Sequence, residues 1–376
     1  MSGKLSAVVP AVMAVAFLAI SCAPPPSPTG RSVAPTSLPA GQTHVQVSLE
    51  PLGILPNSGL QLPSISPDGQ WVAYLQVAAG QAVYSDALAS GAGLENVSLF
   101  IRPTKRNARS VPVCLSGAAW PAWFGDGRRL AFVRWDGKRP QVGIHDLATG
   151  QTRYISTNLK SVMMLSVSPS GGRIALAGLG GAAGDAWRIW LLDVEKSQLE
   201  LVAPETPSAA WQLWPQWETE DSLMYLSFGQ GKARFVRRSG GNMTPSRTWD
   251  ANAPADPADA FQVLAGIVRQ FSPDGRRLAW FDMLSDSVVL TDLSDRPSRR
   301  LGDGTRAGCW MGNDSFVAAG EKELRLFGLD GHPPVRLMRG SWLPLWASMA
   351  SHEVLACMRG KDLLSFELVR LRVQVQ

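Results

Sequence analysis

The chain has 376 residues, a net charge of +5 and 45% hydrophobic against 18% charged residues, which is enough apolar material for a sizeable core. Its 36 glycines and 27 prolines favour many short elements joined by turns. Sustained helical periodicity is missing after the first twenty residues, which argues against a protein built of long helices.

An export signal is the first predicted element. Residues 1–4, MSGK, form a short basic start, and the apolar run LSAVVPAVMAVAFLAI is too short and ends too abruptly for an ordinary membrane span. Ser21 and Cys22 follow. An apolar run, a small residue and a cysteine resemble a bacterial lipoprotein signal, so residues 1–21 are the predicted lipoprotein signal peptide.

This resemblance implies that the Cys22 thiol receives a lipid and that cleavage leaves Cys22 as the first residue. Ala19 stands where such signals usually have leucine, with Leu18 one place earlier. Secretion without a lipid and a retained anchor are the alternatives; cleavage after Ala23 would place Pro24 at the cut, which disfavours secretion. Several acyl chains, palmitate among them, hold a protein stably at a bilayer. The predicted location is the cell envelope, facing outside the cytoplasm.

Residues 22–42 are rich in Pro, Ser, Thr and Gly and predict a disordered, extended tether. The globular domain is predicted over residues 43–376. Its three cysteines, Cys114, Cys309 and Cys357, match no zinc spacing. Cys309 and Cys357 lie in or beside apolar strands, so buried free thiols are the favoured interpretation for these two.

One short pattern recurs seven times in this domain: an apolar or aromatic anchor residue, a polar turn and an apolar strand. FSPDGRRLAW, residues 271–280, is its best-kept copy. Successive anchors are 36 to 58 residues apart, which brackets the length of one four-stranded propeller blade. The seven anchors are Ile65, Trp123, Val167, Trp217, Phe271, Trp310 and Trp346.

The turn SPDG, two further residues and an apolar strand, with a proline two places before the anchor, resemble the TolB-type, WD-repeat-like propeller family. Four copies carry that proline, and the third, fifth and sixth depart from it. The resemblance covers about residues 60–376 and implies a fold. It says little about function, because such propellers serve envelope scaffolds, sensors and peptidase gating domains alike.

The predicted fold class is therefore all-β, a seven-bladed β-propeller of four-stranded antiparallel blades, with six blades as the alternative. The seventh blade begins at Trp346 and has no obvious turn for a fourth strand. Residues 43–50, THVQVSLE, alternate as a strand does, and we expect them to pair with the last blade and close the ring.

Motifs for catalysis are missing from the sequence: it has no G-x-S-x-G elbow, no Walker loop and no dinucleotide fingerprint. Its four histidines, His44, His145, His332 and His352, lie in different segments. We therefore predict no catalytic residue, no metal site and no cofactor. A channel-centred enzyme of the lactonase or quinoprotein kind stays open as an alternative, because such sites gather one residue per blade.

Two surface features are the candidate functional sites. Tryptophans near the links between blades could stack on a sugar or grip an apolar peptide side chain at the channel mouth, or could simply pack between blades. These candidates are Trp120, Trp211, Trp214 and Trp342. Arginines near the opposite rim could form a basic face for anionic head groups or an acidic partner, or a solvated rim. These are Arg128, Arg129, Arg237, Arg238, Arg276 and Arg277.

Two long insertions, residues 77–96 and 249–261, could carry binding or be flexible surface. Taken together, the sequence predicts a non-catalytic envelope lipoprotein whose monomeric propeller binds a protein, peptide or glycan. A sensory accessory subunit is the other non-enzymatic interpretation. Nucleic acid is not an expected partner of an exported protein.

Overall fold

A computed structural model describes residues 45–81, 83, 87–91, 93–202, 211–240, 244–250, 269–282, 285–293, 298–302, 304–305, 307–329, 333–361 and 364–375. The predicted signal peptide, Cys22, the tether and most of the 249–261 insertion lie outside these residues. No helix among the described residues has the length and apolar character needed to cross a membrane.

Seven four-stranded antiparallel sheets follow one another along the chain in a propeller arrangement, which confirms seven blades rather than six. In blades 1 to 6 the strand order in the sheet is the order in the chain, so each blade is a meander. Blades 1 to 3 comprise β2 (Ser64–Ile65), β3 (Trp71–Val77), β4 (Val97–Pro103), β5 (Val111–Cys114), β6 (Ala118–Trp123), β7 (Arg129–Trp135), β8 (Pro140–Asp146), β9 (Thr152–Ser156), β10 (Ser161–Val167), β11 (Arg173–Leu179), β12 (Trp187–Asp193) and β13 (Gln198–Leu201).

Among the described residues, helical structure is confined to three short segments in the connections of blades 1 and 3. They are α1 (Ala87–Ser90) and two 3₁₀ turns, Leu94–Asn96 and Gly181–Ala183. Blades 4 to 6 comprise β14 (Trp211–Thr219), β15 (Ser222–Gly229), β16 (Lys232–Ser239), β17 (Thr244–Asp250), β18 (Arg269–Phe271), β19 (Arg277–Asp282), β20 (Ser287–Asp292), β21 (Arg299–Arg300), β22 (Ala307–Trp310), β23 (Ser315–Ala319), β24 (Glu323–Gly328) and β25 (Val335–Arg339).

Blade 7 takes its fourth strand from the other end of the chain. The order in its sheet is β1 (Val45–Leu55), β28 (Phe366–Val375), β27 (Glu353–Arg359) and β26 (Leu343–Ser348). Strand β1 pairs with β28 from Val45 opposite Val375 to Leu55 opposite Phe366. The predicted closing strand is therefore confirmed, and it extends further than residues 43–50.

Two arginines hold the joint between blades 7 and 1 from opposite sides. Arg102 of blade 1 donates to the carbonyl oxygens of Leu52 and Ile54 on β1, at 3.2 and 3.3 Å. Arg370 of blade 7 donates to the Thr104 carbonyl of blade 1 at 2.7 Å. Because β1 is an edge strand that pairs in its sheet with β28, these contacts tie the closing strand into the ring.

Neighbouring blades also touch through the turns that carry the repeat pattern. The Trp123 and Trp217 indole N–H groups each donate to a carbonyl one residue before the anchor of the preceding blade, at 3.1 Å. Trp346 instead donates forward to the Pro67 carbonyl of blade 1, at 3.0 Å, and closes the circle. A Cβ at Gly69, whose φ is +71°, would lie 2.6 Å from the Trp346 ring, so only glycine permits this contact.

The meander gives the ring two faces. On one face, which we call the turn face, lie the turns that join the first strand of each blade to the second and the third strand to the fourth. The opposite face, where the second strand connects to the third and one blade leads to the next, is the link face. Val45 pairs with Val375 at the turn-face end of blade 7, so β1 begins on that face.

The core lies between the blades. One continuous cluster of buried apolar side chains runs from blade 1 to blade 5, and smaller clusters fill the remaining joints. Cys309 and Cys357 are buried free cysteines, as predicted, and so is Cys114. Burial raises the pKa of Cys309 and of Cys357 far above the ordinary thiol value.

Candidate binding site on the link face

The innermost strands of blades 2, 3 and 4 share a backbone irregularity. Strand pairing shifts register after Ala119 in β6, after Met163 in β10 and after Leu213 in β14. The next residue in each strand, Trp120, Met164 or Trp214, has a φ between +52° and +58°. Non-glycine residues in this left-handed region each cost about 1–3 kcal/mol, so the surrounding structure must hold them there.

Two of these bulges contain the proline of the repeat pattern. Pro121 follows Trp120, and Pro215 follows Trp214. Proline donates no N–H, and inside sheets it is confined to edges and bulges. The innermost strand is an edge strand bordering the channel, which explains why a proline recurs two places before the anchor.

Contacts between blades link the bulged residues. The Trp120 backbone N–H donates to Oε1 of Gln61 in blade 1 at 3.3 Å. The Trp214 backbone N–H points to the Met164 sulfur at 3.3 Å. Trp120 and Trp214 are 9% exposed and Met164 is 5% exposed. The result is an arc of two indoles and a thioether across three blades, a surface suited to apolar side chains.

The sequence pointed to two members of this arc and missed the third. Trp120 and Trp214 each stand three residues before their anchors, and Met164 stands three before Val167. The position of Met164 relative to its anchor is a signal that the sequence contains, but a pattern restricted to aromatic residues does not include methionine. All three lie within innermost strands rather than in the links where we expected the tryptophans.

The other two candidate tryptophans lie outside the arc of bulged residues. Trp342 is 8% exposed and lies in the link before β26. A Cβ at Gly340 would lie 2.9 Å from its indole nitrogen, so the ring packs against the link backbone. Trp211, the first residue of β14, is half-buried and packs on the main core cluster.

Part of the insertion at residues 77–96 is packed on the link face, whereas residues 78–81 are exposed. Ala87 and Leu88 of α1 are 3% and 4% exposed, and Leu94 is fully buried. The Trp120 indole N–H donates to the Leu88 carbonyl at 2.7 Å. This segment of blade 1 therefore covers the blade 2 member of the arc.

Four of the six candidate basic residues are engaged on or near the turn face. Arg129 pairs with Asp126 at 2.7 Å, and Arg277 with Asp314 at 3.1 Å. Arg237 makes a two-pronged pair with the buried Glu218 carboxylate, at 2.6 and 2.7 Å. Arg238 is 3% exposed and donates to the Tyr225 hydroxyl at 2.7 Å.

Arg128 and Arg276 are the exposed members of the basic set. Lys105, Arg106 and Arg109 in the outer turn of blade 1 are also exposed. Carboxylates interleave with these cations around the turn face, so its charge is mixed.

Titratable groups of the described residues do not gather into a metal site: no three His, Cys, Asp or Glu side chains among them could hold one ion. His145 is buried, and its Nδ1 lies 2.9 Å from the Thr152 hydroxyl. Burial lowers the pKa of His145. His44 and His332 lie outside the described residues.

Comparison with known proteins gives a local match. No family model matches the chain. A 40-residue stretch, 11% of the chain, is 52% identical to the Tol-Pal system protein TolB of Aromatoleum aromaticum, and a 54-residue stretch, 14% of the chain, is 43% identical to that of Azoarcus sp. strain BH72. These stretches cover 9% and 12% of those proteins, so the chain matches about a tenth of their length.

Among solved structures, TolB from Acinetobacter baumannii is similar, with 17% sequence identity and a TM-score of 0.47. That match covers 73% of this chain and 65% of that one. The chain is thus a seven-bladed propeller with TolB-like sequence over a stretch about the length of one blade.

Proposed function

We propose that this protein is a non-catalytic lipoprotein of the cell envelope and that the link face of its propeller binds a protein, peptide or glycan. The observation that carries the proposal is the arc of Trp120, Met164 and Trp214. Three strained residues at equivalent positions of adjacent blades represent a cost to folding, and such strain is often retained at ligand sites. Indole and thioether groups at the mouth of a rigid ring suit an apolar anchor of a partner.

The path of the chain supports the choice of face. Strand β1 begins on the turn face, so a lipid on Cys22 would tether the ring by that side. The link face would then point away from the membrane, where partners can reach it. The exposed cations of the turn face, Arg128 and Arg276, are placed to approach anionic head groups.

The local similarity to TolB supports an envelope role. The relatives are named as proteins of the Tol-Pal system, and their similarity to this chain falls within blade-sized stretches. A match over the length of one blade concerns the propeller scaffold. The choice of partner depends instead on the residues of this protein's own link face.

Extraction of the full-length chain from membranes with mild detergent tests this function. We expect a partner to co-purify in near-stoichiometric amount, and the Cys22→Ser variant to appear in the soluble fraction. Retention of Cys22→Ser in the membrane would contradict the anchor. Purification of the membrane-extracted chain without any stoichiometric partner or glycan would contradict the binding role.

A further inference from the structure

One segment of blade 1 crosses the link face and reaches two blades away. We call residues 87–91 and 93–96 the cap. They connect the second and third strands of blade 1, yet α1 packs against β10, the innermost strand of blade 3. On its way the cap covers blade 2, where the Trp120 indole N–H donates to the Leu88 carbonyl at 2.7 Å.

The two halves of the cap are held differently. In the second half, the Gly117 N–H donates to the Leu94 carbonyl at 2.9 Å, and the Ser116 hydroxyl donates to the Glu95 carbonyl at 3.1 Å. The first half places Leu88 in the main core cluster, which also contains Trp120 and Met164. Leu88 is therefore a buried apolar residue whose carbonyl binds the Trp120 indole, in a helix that lies against the strand of Met164.

Features of the first half favour independent opening. Helix α1 is a single turn of four residues, and a helix this short has little stability of its own. Gly91 and Gly93, with φ of +78° and +84°, separate it from the second half. A Cβ at Gly91 would lie 2.3 Å from the Trp135 ring, so this glycine lets the backbone lie flat on blade 2 and turn sharply.

We propose that the cap is a built-in occupant of a peptide site, and that a protein partner displaces it with a short apolar turn of the same chemistry. The incoming segment presents a leucine-like side chain to Trp120 and Met164 and offers a backbone carbonyl to the Trp120 indole. This inference deepens the proposed function and rests on it, because it names the class of partner as a protein segment rather than a glycan.

Hydrogen exchange of the intact protein tests whether the cap opens by itself. We expect the amides of residues 88–91 to exchange at least about 100-fold faster than those of the flanking strands β3 and β4, because local opening needs less free energy than global unfolding. Exchange of the cap only at the rate of the strands would overturn the proposal, since a permanently closed segment cannot be replaced by a partner.

Peptide binding in trans tests the chemistry of the site. The probe is a fluorescent synthetic peptide of residues 87–96, added to the full-length chain carrying Leu88→Asp, which disfavours the closed cap. We expect at least about tenfold tighter binding to this variant than to the wild type, and loss of binding when Leu88 of the peptide is replaced by alanine while Leu94 is kept. Leu364→Asp, at an exposed leucine on the link face, is the matched control.

The outcomes separate the two proposals. If peptide binding depends on Leu88 of the peptide but no partner co-purifies with the full-length chain, the peptide site stands and the envelope-binding function is refuted. A folded Leu88→Asp variant that binds the peptide no better than the wild type would overturn the site and leave the function standing. Should Leu88→Asp fail to fold, the hydrogen-exchange result decides.

Discussion

At the scale of single residues, the repeat pattern is explained by hydrogen bonds within one turn. The Asp274 carboxylate accepts from the Ser272 hydroxyl at 2.6 Å and from the Arg276 N–H at 3.1 Å. Asp126 likewise accepts from the N–H groups of Arg128 and Arg129. The motif that looks like a site in isolation is a self-capping turn, which is why it recurs in blade after blade.

These turns predict acid sensitivity. Partial burial opposes ionisation of Asp126, but the hydrogen bonds from Arg128 and Arg129 outweigh it and hold the pKa of Asp126 below its ordinary value. A carboxylate whose pKa is lowered by folding stabilises the fold above its unfolded pKa, and this stability is lost as the pH falls through the folded pKa. We expect Asp126→Asn to flatten the fall in melting temperature below about pH 4. If the melting temperatures of the wild type and of Asp126→Asn fall equally as the pH is lowered, this explanation is wrong.

Trp346 makes the ring-closing contact at the level of one side chain. We expect Trp346→Phe to lower the free energy of unfolding by about 1–2 kcal/mol, because the bond to the Pro67 carbonyl and part of the stacking on Gly69 are lost. Trp190→Phe is the control, since the buried Trp190 indole N–H has no hydrogen-bond partner among the described residues. Chemical denaturation measures both, and an equal or smaller loss for Trp346→Phe would contradict the ring-closing role.

At the scale of elements, the fold could be predicted where it depends on repetition. Seven anchors and their turns predict seven blades, and the unpaired alternation of residues 43–50 predicts the closing strand. The register shifts in β6, β10 and β14 could not be predicted, because alternation of apolar residues carries no sign of a left-handed φ. The sequence also did not predict the burial of the cap. Small residues are typical of an exposed loop, and it is the path of the chain across the link face that brings Leu88 to blade 3.

Closure by β1 depends on the arginine joint as well as on strand pairing. We expect Arg370→Met to lower the free energy of unfolding by about 2–3 kcal/mol, because the bond to the Thr104 carbonyl is lost and the partly buried carboxylates of Glu50 and Glu353 each lose one of their two arginine partners. Arg372→Met is a close control. Arg372 pairs with the same two glutamates but its side chain is 58% exposed, so its loss should cost at most about 1 kcal/mol.

Urea denaturation compares the two variants of the joint. If Arg370→Met and Arg372→Met lower the free energy of unfolding equally, only the ion pairs with Glu50 and Glu353 stabilise the fold, and the contact of Arg370 with Thr104 across the joint does not.

At the scale of the whole molecule, the fold separates two tasks onto two faces. The turn face carries the repeated, self-capped turns and the start of β1. The link face carries the cap, which belongs to blade 1, and the arc of bulged residues in blades 2 to 4, whose blade 2 member the cap covers. The basic face predicted from the sequence is reduced by ion pairing, which sequence alone could not show, because the partners of Arg237 and Arg277 come from other strands and another blade.

Site-specific photo-crosslinking in intact cells tests this division most directly. Lys138 and Arg128 are exposed residues of the same blade, in its link-face connection and its turn-face turn. With a photoreactive amino acid at each position in the full-length chain, we predict discrete protein adducts from position 138 and lipid contact or no adduct from position 128. Protein adducts that form from position 128 and not from position 138 would contradict the account.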